Sequence, residues 1–338
     1  MPTGLGFGSG SGQRFNIFAI AQAGRLEYEA VILAASLRHA DPDFAGRLVF
    51  AEPQPGPLWP GDPRISDPVR SLLIDRFGAK IVPMEARHFG AAYPQGNKIE
   101  GLFALPKGEP FLFLDTDTLV TGALSAMPIA DAGPTASMRR EGTWPKPTLY
   151  GPDLAEIWAS LYRRFGLDFD ASLDLSWPAS HWERYLYFNA GWFCAPCPHR
   201  FGTRFLDIAL TIRDDPPEEL LCQTLDPWLD QVALPLAIHA EGGGRPGPQL
   251  DGLDGGVTWH YRVLAMLYAT ADDAALAQLE AAVASNPVKK VLKSWEPAKR
   301  MIYQAKGGRA RALFDRAALP AREEPIRRVL KKAGLWLR

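Results

Sequence analysis

Between Phe15 and Gly122, apolar runs of strand length alternate with segments of helical period, and this alternation restricts the chain more than any other feature. Phe15–Ala21, Gly46–Glu52, Ala79–Glu85 and Phe111–Leu114 read as strands. The stretches Tyr28–Ala40, Asp67–Gly78 and Gly96–Leu105 read as helices, with a Pro/Gly-rich loop over Pro53–Pro63. Strands that alternate with helices predict an α/β fold, with a mainly parallel central sheet and helices on both faces. Ligands on such sheets bind beyond the C-terminal strand ends. The run "FLFL" ends at such a place, in Asp115 and Asp117.

After Gly122 the pattern changes. A Trp- and Pro-rich irregular stretch precedes an expected strand over Glu183–Ala195. Helices are expected over Arg200–Asp214, Asp226–Ala240 and Asp272–Ser285, and a short strand over Gly256–Leu264. The expected organisation is a flexible Gly/Ser leader over 1–13 that is no secretion signal, then a domain over 14–287. That domain divides at Gly122 into a first part (14–122) and a second part (123–287). A basic helical tail follows over 288–338.

With 47% apolar and 22% charged residues, the chain can bury a core without staples. Cys194, Cys197 and Cys222 are too few for a disulfide framework and read as reduced thiols, which suits the cytoplasm. No run approaches the ~18 apolar residues that a membrane span needs. Formal net charge is −1, but from Lys289 onward 15 Lys and Arg face 4 acidic residues, a local excess of +11. Ile326, Val329, Leu330 and Ala333 fall at helical spacing within that excess, so the tail is also expected to rest peripherally on an anionic membrane. It carries no nucleic-acid-binding motif, and no nucleic-acid partner is expected.

Two chemistries place paired aspartates at a strand exit. In a haloacid-dehalogenase-like phosphohydrolase the first, here Asp115, attacks phosphorus. Such an enzyme has this strand near the start of its domain and an acidic pair after a later strand. Here complete strand–helix units come first, and Asp214–Asp215 and Asp272–Asp273 lie at helix ends. In the other chemistry the aspartates hold a divalent cation on a sugar nucleotide, where it acts as a Lewis acid toward the diphosphate leaving group. A non-catalytic sugar-nucleotide-binding module is a third possibility.

Four stretches, "GNKIEGL", "FLDTDTLV", "YFNAGWF" and "DQVALPL", occur in an order that resembles GT-A fold glycosyltransferases. The likeness is to the family of glycogenin and the bacterial lipopolysaccharide galactosyltransferases, and "TWHY" sits where that family has its metal-binding histidine. The resemblance spans about residues 14 to 285 and implies a Rossmann-like sheet, with a nucleotide-binding half over 14–122 and an acceptor half over 123–287, and a nucleotide-sugar donor with uracil as the base. It implies Mn²⁺ or Mg²⁺ on Asp115, Asp117 and His260, hard oxygen ligands with one imidazole. Donor contacts would come from Ala21, Gln22, Tyr28 (stacked on the base), Asn97, Lys98, Thr116, Asn189, Ala190 and Gly191. Asp230 and Gln231 would lie near the reacting carbon. The implied reaction retains configuration, although Asp230 could equally be the base of an inverting enzyme. The implied acceptor is a glycolipid or cell-surface polysaccharide precursor, as in lipopolysaccharide biosynthesis, for which Trp144, Trp177, Trp182 and Tyr187 offer aromatic faces.

Overall fold

A computed structural model describes residues 14–337, so the leader expected over 1–13 lies outside the described residues. The central sheet has the order β3-β2-β1-β4-β7-β6. Its strands are β1 (Asn16–Ile20), β2 (Leu48–Pro53), β3 (Lys80–Met84), β4 (Phe111–Leu114), β6 (Thr135–Ser137) and β7 (Asn189–Ala195). The first four are mutually parallel, while β7 runs antiparallel to β4 and β6 antiparallel to β7. The mainly parallel α/β architecture expected from the sequence is thus present, and its two antiparallel strands come after Gly122.

Alternation along each strand explains why the runs are apolar throughout. Ile17, Ala19, Leu112 and Leu114 face one core, and Phe18, Ile20, Phe111 and Phe113 face the other. The first core is covered by α1 (Arg25–Ala40) with α2 (Asp67–Ser71). Over the second lie α3 (Asn97–Glu100), α4 (Leu154–Arg164), α5 (Pro198–Asp214) and α6 (Leu229–Ala240). The C-terminal helices return to the first core: α7 (Leu264–Thr270), α8 (Asp273–Ala282), α9 (Asn286–Leu292), α10 (Glu296–Ala298), α11 (Lys306–Arg311) and α12 (Glu323–Lys332).

Two expectations change. The strand expected over Glu183–Ala195 begins only at Asn189, because β6 and β4 offer partners no earlier, and Trp182–Arg184 forms a 3₁₀ turn. Asp115 and Asp117 stand just beyond the end of β4, at the strand exit expected of them. They occupy the turn between β4 and the short β5 (Thr118–Val120). The basic segment is not a free tail, since Val288, Leu292, Met301, Ala310, Ile326, Leu330 and Leu335 are buried in the same core as α1. Their helical spacing gives each short helix an apolar stripe, and the domain is where that stripe is buried. No helix among the described residues is long and apolar enough to cross a membrane.

Candidate active site

A second, two-stranded sheet assembles the site. β5 pairs antiparallel with β8 (Thr258–His260) in a register that sets Thr118 opposite His260, and Tyr261 N donates to Asp117 O at 2.8 Å. Backbone pairing therefore carries His260 to the aspartate turn from far along the chain. His260 Nε2 lies 3.2 Å from Asp117 Oδ1 and 3.8 Å from Asp115 Oδ2. One ligand atom from each of the three residues lies within 4.8 Å of the others, so the expected metal trio is brought together. Gly191, on β7, makes room for it, because a Cβ there would stand 2.2 Å from His260 Nδ1. The donor set and this cradle fit a divalent cation such as Mn²⁺.

Electrostatics within the cluster are tightly balanced. Burial pushes Asp115 upward from the usual carboxylate range, against the pull of Lys98. Burial also opposes ionisation of Asp117, yet His260 and Arg25 hold it well below that range. Burial works against the imidazolium of His260, but Asp117 and then Asp115 raise its pKa. Two carboxylates this close repel each other, and cations relieve that repulsion.

Lys98 is buried, and its Nζ lies 3.3 Å from Asp115 Oδ1 and 3.1 Å from Asp230 Oδ2. It also donates to Ala190 O at 3.4 Å. Burial alone would depress this amine, but Asp115 and Asp230 raise it above its ordinary value. Asp230 stands at the start of α6 with both oxygens engaged, Oδ1 accepting from Tyr93 OH at 2.7 Å. Asn97 donates to Gln22 Oε1 at 3.0 Å, and Gly191 N donates to Asn189 Oδ1 at 3.0 Å. Thr116 donates to Glu29 beneath the turn, and the Ala21 amide is taken by the Ala51 carbonyl.

Two clefts flank this cluster. The first, of about 230 Å³, is lined by Ile20, Arg25, Pro94, Lys98, Asp115 and Asp117. The second, of about 240 Å³, is lined by Asn189, Gln231, Trp228 and a set of charged residues. Tyr28, expected to stack on a base, does not line the first cleft. It stacks on Trp295 at 5.8 Å, because α1 turns that side chain toward the C-terminal helices. Asp230 lies behind Lys98 and lines neither cleft, whereas Gln231 lines the second and accepts from Tyr187 OH at 3.0 Å. Of the aromatics expected to hold an acceptor, Trp144 is buried in the core, and Trp177 stacks on His181.

Sequence reasoning missed Arg25 and Glu29. Arg25 Nη1 lies 3.5 Å from Glu29 and 3.9 Å from Asp117. Their i,i+4 spacing was a visible signal, as was an acid inside the apolar run of α1. Burial and then Asp117 push Glu29 up to about 9.

Residues 17–242 match the model of a glycosyltransferase domain, and the protein is a glycosyltransferase. That model describes the Rhodobacterales glycosyltransferase domain, and the chain belongs to this family. The matched region holds Lys98, Asp115, Asp117, Gly191 and Asp230, while His260 and the C-terminal helices lie beyond it. No curated protein matches the sequence. Among solved structures, galactosyltransferase LgtC in complex with donor and acceptor sugar analogs is 16% identical, with a TM-score of 0.46, over 80% of this chain and 96% of that one. The glycosyltransferase GlyE from Streptococcus pneumoniae TIGR4 is 11% identical, with a TM-score of 0.37, over 72% of this chain and 48% of that one.

Proposed function

We propose that this glycosyltransferase, of GT-A type, moves a hexosyl group from a nucleotide-sugar donor, with UDP as the nucleotide, to a glycan or glycolipid acceptor. The carrying observation is the meeting of Asp115, Asp117 and His260 from distant parts of the chain. A divalent cation held there would neutralise the diphosphate of the leaving nucleotide. Arg25 and Lys98, in the wall of the first cleft, would bind donor oxygens and keep the two carboxylates charged. Asn189 and Gly191 would border the donor sugar. Gln231 would face the acceptor in the second cleft.

Asp230 supports retention of configuration. An inverting enzyme needs a carboxylate base open to the acceptor hydroxyl. Asp230 is buried, with Lys98 and Tyr93 on its two oxygens, which suits a residue that positions Lys98. The basic residues left exposed on α12, Arg328, Lys331 and Lys332, would rest on an anionic membrane surface that presents the acceptor.

The test incubates the protein with Mn²⁺ and a panel of sugar nucleotides, and separately with a phosphate monoester. Metal-dependent release of nucleoside diphosphate, lost in Asp115→Asn and in His260→Ala, is the expected result. Phosphate release from the monoester, abolished by Asp115→Asn and untouched by His260→Ala, would make the protein a phosphohydrolase. Saturable binding without any turnover would make it a binding module.

A further inference from the structure

The second cleft has more positive charge than a neutral sugar needs. Arg140, Lys146, Arg262 and Arg327 line it against Glu141 and Glu323. Glu323 is already taken, its Oε2 lying 2.7 Å from Arg262 Nε, and Glu141 accepts from the Glu323 amide at 2.9 Å. Arg327 reaches its nearest carboxylates only at 3.8 and 3.9 Å.

Arg140 is the most telling of these. Its guanidinium lies over the Trp182 ring, 4.6 Å from the centroid, and donates to the carbonyls of Tyr187 at 3.2 Å and Tyr185 at 3.5 Å. Its Nε is buried without a hydrogen-bond partner, as is that of Arg327. Among the described residues Arg140 makes no ion pair within 4.0 Å; Glu183 acts on it only at longer range. Burial pulls its pKa down to about 10. Stacking and backbone carbonyls fix the orientation of the guanidinium and leave its charge unanswered. A guanidinium with unpaired N–H capacity favours a phosphate or carboxylate as its partner.

The cleft also opens toward the reaction centre. It shares Asn189, Arg262 and Glu323 with a small cavity that reaches His260. Trp228, partly exposed, offers an apolar face to a sugar ring, and Gln231 and Thr143 offer polar groups. Glu323 and Arg327 come from α12, so the C-terminal helix forms one wall of the cleft.

We propose that the second cleft is an acceptor subsite for a sugar bearing an anionic group, a phosphate or a carboxylate, recognised by Arg140 together with Arg327. The inference rests on the transferase reading above and names its acceptor class.

The experiment titrates the full-length protein calorimetrically in EDTA, which removes metal-bridged binding at Asp115 and Asp117. The probes are glucose 6-phosphate, glucuronic acid, inorganic phosphate and glucose. At least one anionic sugar should bind saturably, about tenfold or more tighter than glucose and than inorganic phosphate, as a charge-assisted contact requires. Preference between the two anionic sugars identifies the phosphate or the carboxylate. Arg140→Gln and Arg327→Gln should each weaken that binding by about tenfold. Should Arg140→Gln fail to fold, because it also loses the Tyr185 and Tyr187 carbonyl contacts, Arg327→Gln still decides, since it makes none of those bonds. No preference over glucose, binding of inorganic phosphate equal to that of the sugar phosphate, no binding at all, or unchanged affinity in Arg327→Gln would each overturn the proposal. Mn²⁺-dependent hydrolysis of a sugar nucleotide by the wild-type protein needs no acceptor. If hydrolysis is present while the anion preference is absent, only the acceptor inference fails. If hydrolysis is absent, the transferase reading beneath it fails.

Discussion

Lys98 Nζ sits 3.1 Å from Asp230 Oδ2 and 3.3 Å from Asp115 Oδ1, so one buried cation ties the start of α6 to the aspartate turn. Segments far apart in the chain are thereby joined at a highly charged point. Replacing Lys98 by Met leaves two carboxylates facing each other, one of them almost wholly buried, and should cost about 3–5 kcal/mol of stability. The double variant Lys98→Met/Asp230→Leu should regain part of that loss. Denaturant unfolding of the four proteins measures the coupling. Strictly additive losses would mean that the contact is not energetically real.

Asp230→Asn keeps the shape of the side chain but removes the charge that holds Lys98. Turnover should fall about 10²-fold, while the KM for the donor stays near the wild-type value, as expected when an interaction acts mainly in the transition state. An unchanged kcat would contradict a role of this pair in the transition state.

Gly191→Ala tests the cradle without touching a ligand. The added methyl would stand 2.2 Å from His260 Nδ1, so the ring must leave its place beside Asp117. Mn²⁺ affinity, followed by electron paramagnetic resonance of the free ion, should drop about 10–100-fold, the range seen when support of a ligand is lost. Wild-type affinity in this variant would remove His260 from the proposed metal site.

Much of this was legible in the chain, and the exceptions share a cause. The strands Phe15–Ala21 and Phe111–Leu114 were readable because both faces are buried, leaving unbroken apolar runs. Asp115 and Asp117 were readable because they stand at the end of such a run, whereas Lys98 was indicated only by the family resemblance of "GNKIEGL". The stacking of Tyr28 on Trp295 was not readable, because helical period fixes which residues share a face, but not what covers that face, and Trp295 lies far along the chain. The role of the basic segment was hidden for the same reason: its charges are plain in the sequence, while the core that accepts Ile326 and Leu330 exists only once α1 and α7 have packed. Arg140 and Arg262 gave no local signal, since their meaning comes from a cleft closed by α12.

Glu29 yields a pH prediction in metal-free protein. Its folded pKa is raised to about 9 from 4.5, so the fold favours the protonated acid. That contribution to stability is complete below pH 4.5 and is lost as pH rises toward 9. The slope over this window is at most about 1.4 kcal/mol per pH unit. Glu29→Gln removes the titration, so its stability relative to wild type should climb steadily from acid to alkaline pH. Thermal unfolding in EDTA across the window checks this, and parallel curves for the two proteins would refute it.

The membrane contact proposed for α12 and its place in the core fall on different residues. Cutting the chain at Lys289 would remove Leu292, Met301, Ile326 and Leu330 from the core, so loss of vesicle binding in such a truncation would say nothing about charge. Leu330→Ala should destabilise the protein by about 2–5 kcal/mol, because the side chain is fully buried. Arg328, Lys331 and Lys332 lie on the opposite, exposed side of α12 beside Val329, which is 40% exposed. Changing these three to Glu should leave thermal stability close to wild type, since exposed charges contribute little to folding. The same changes should abolish sedimentation with phosphatidylserine vesicles at low salt. Wild-type binding should itself weaken as salt rises, because the attraction is screened over about 8–10 Å. If the wild-type protein ignores these vesicles at low salt, α12 serves only the core and the second cleft.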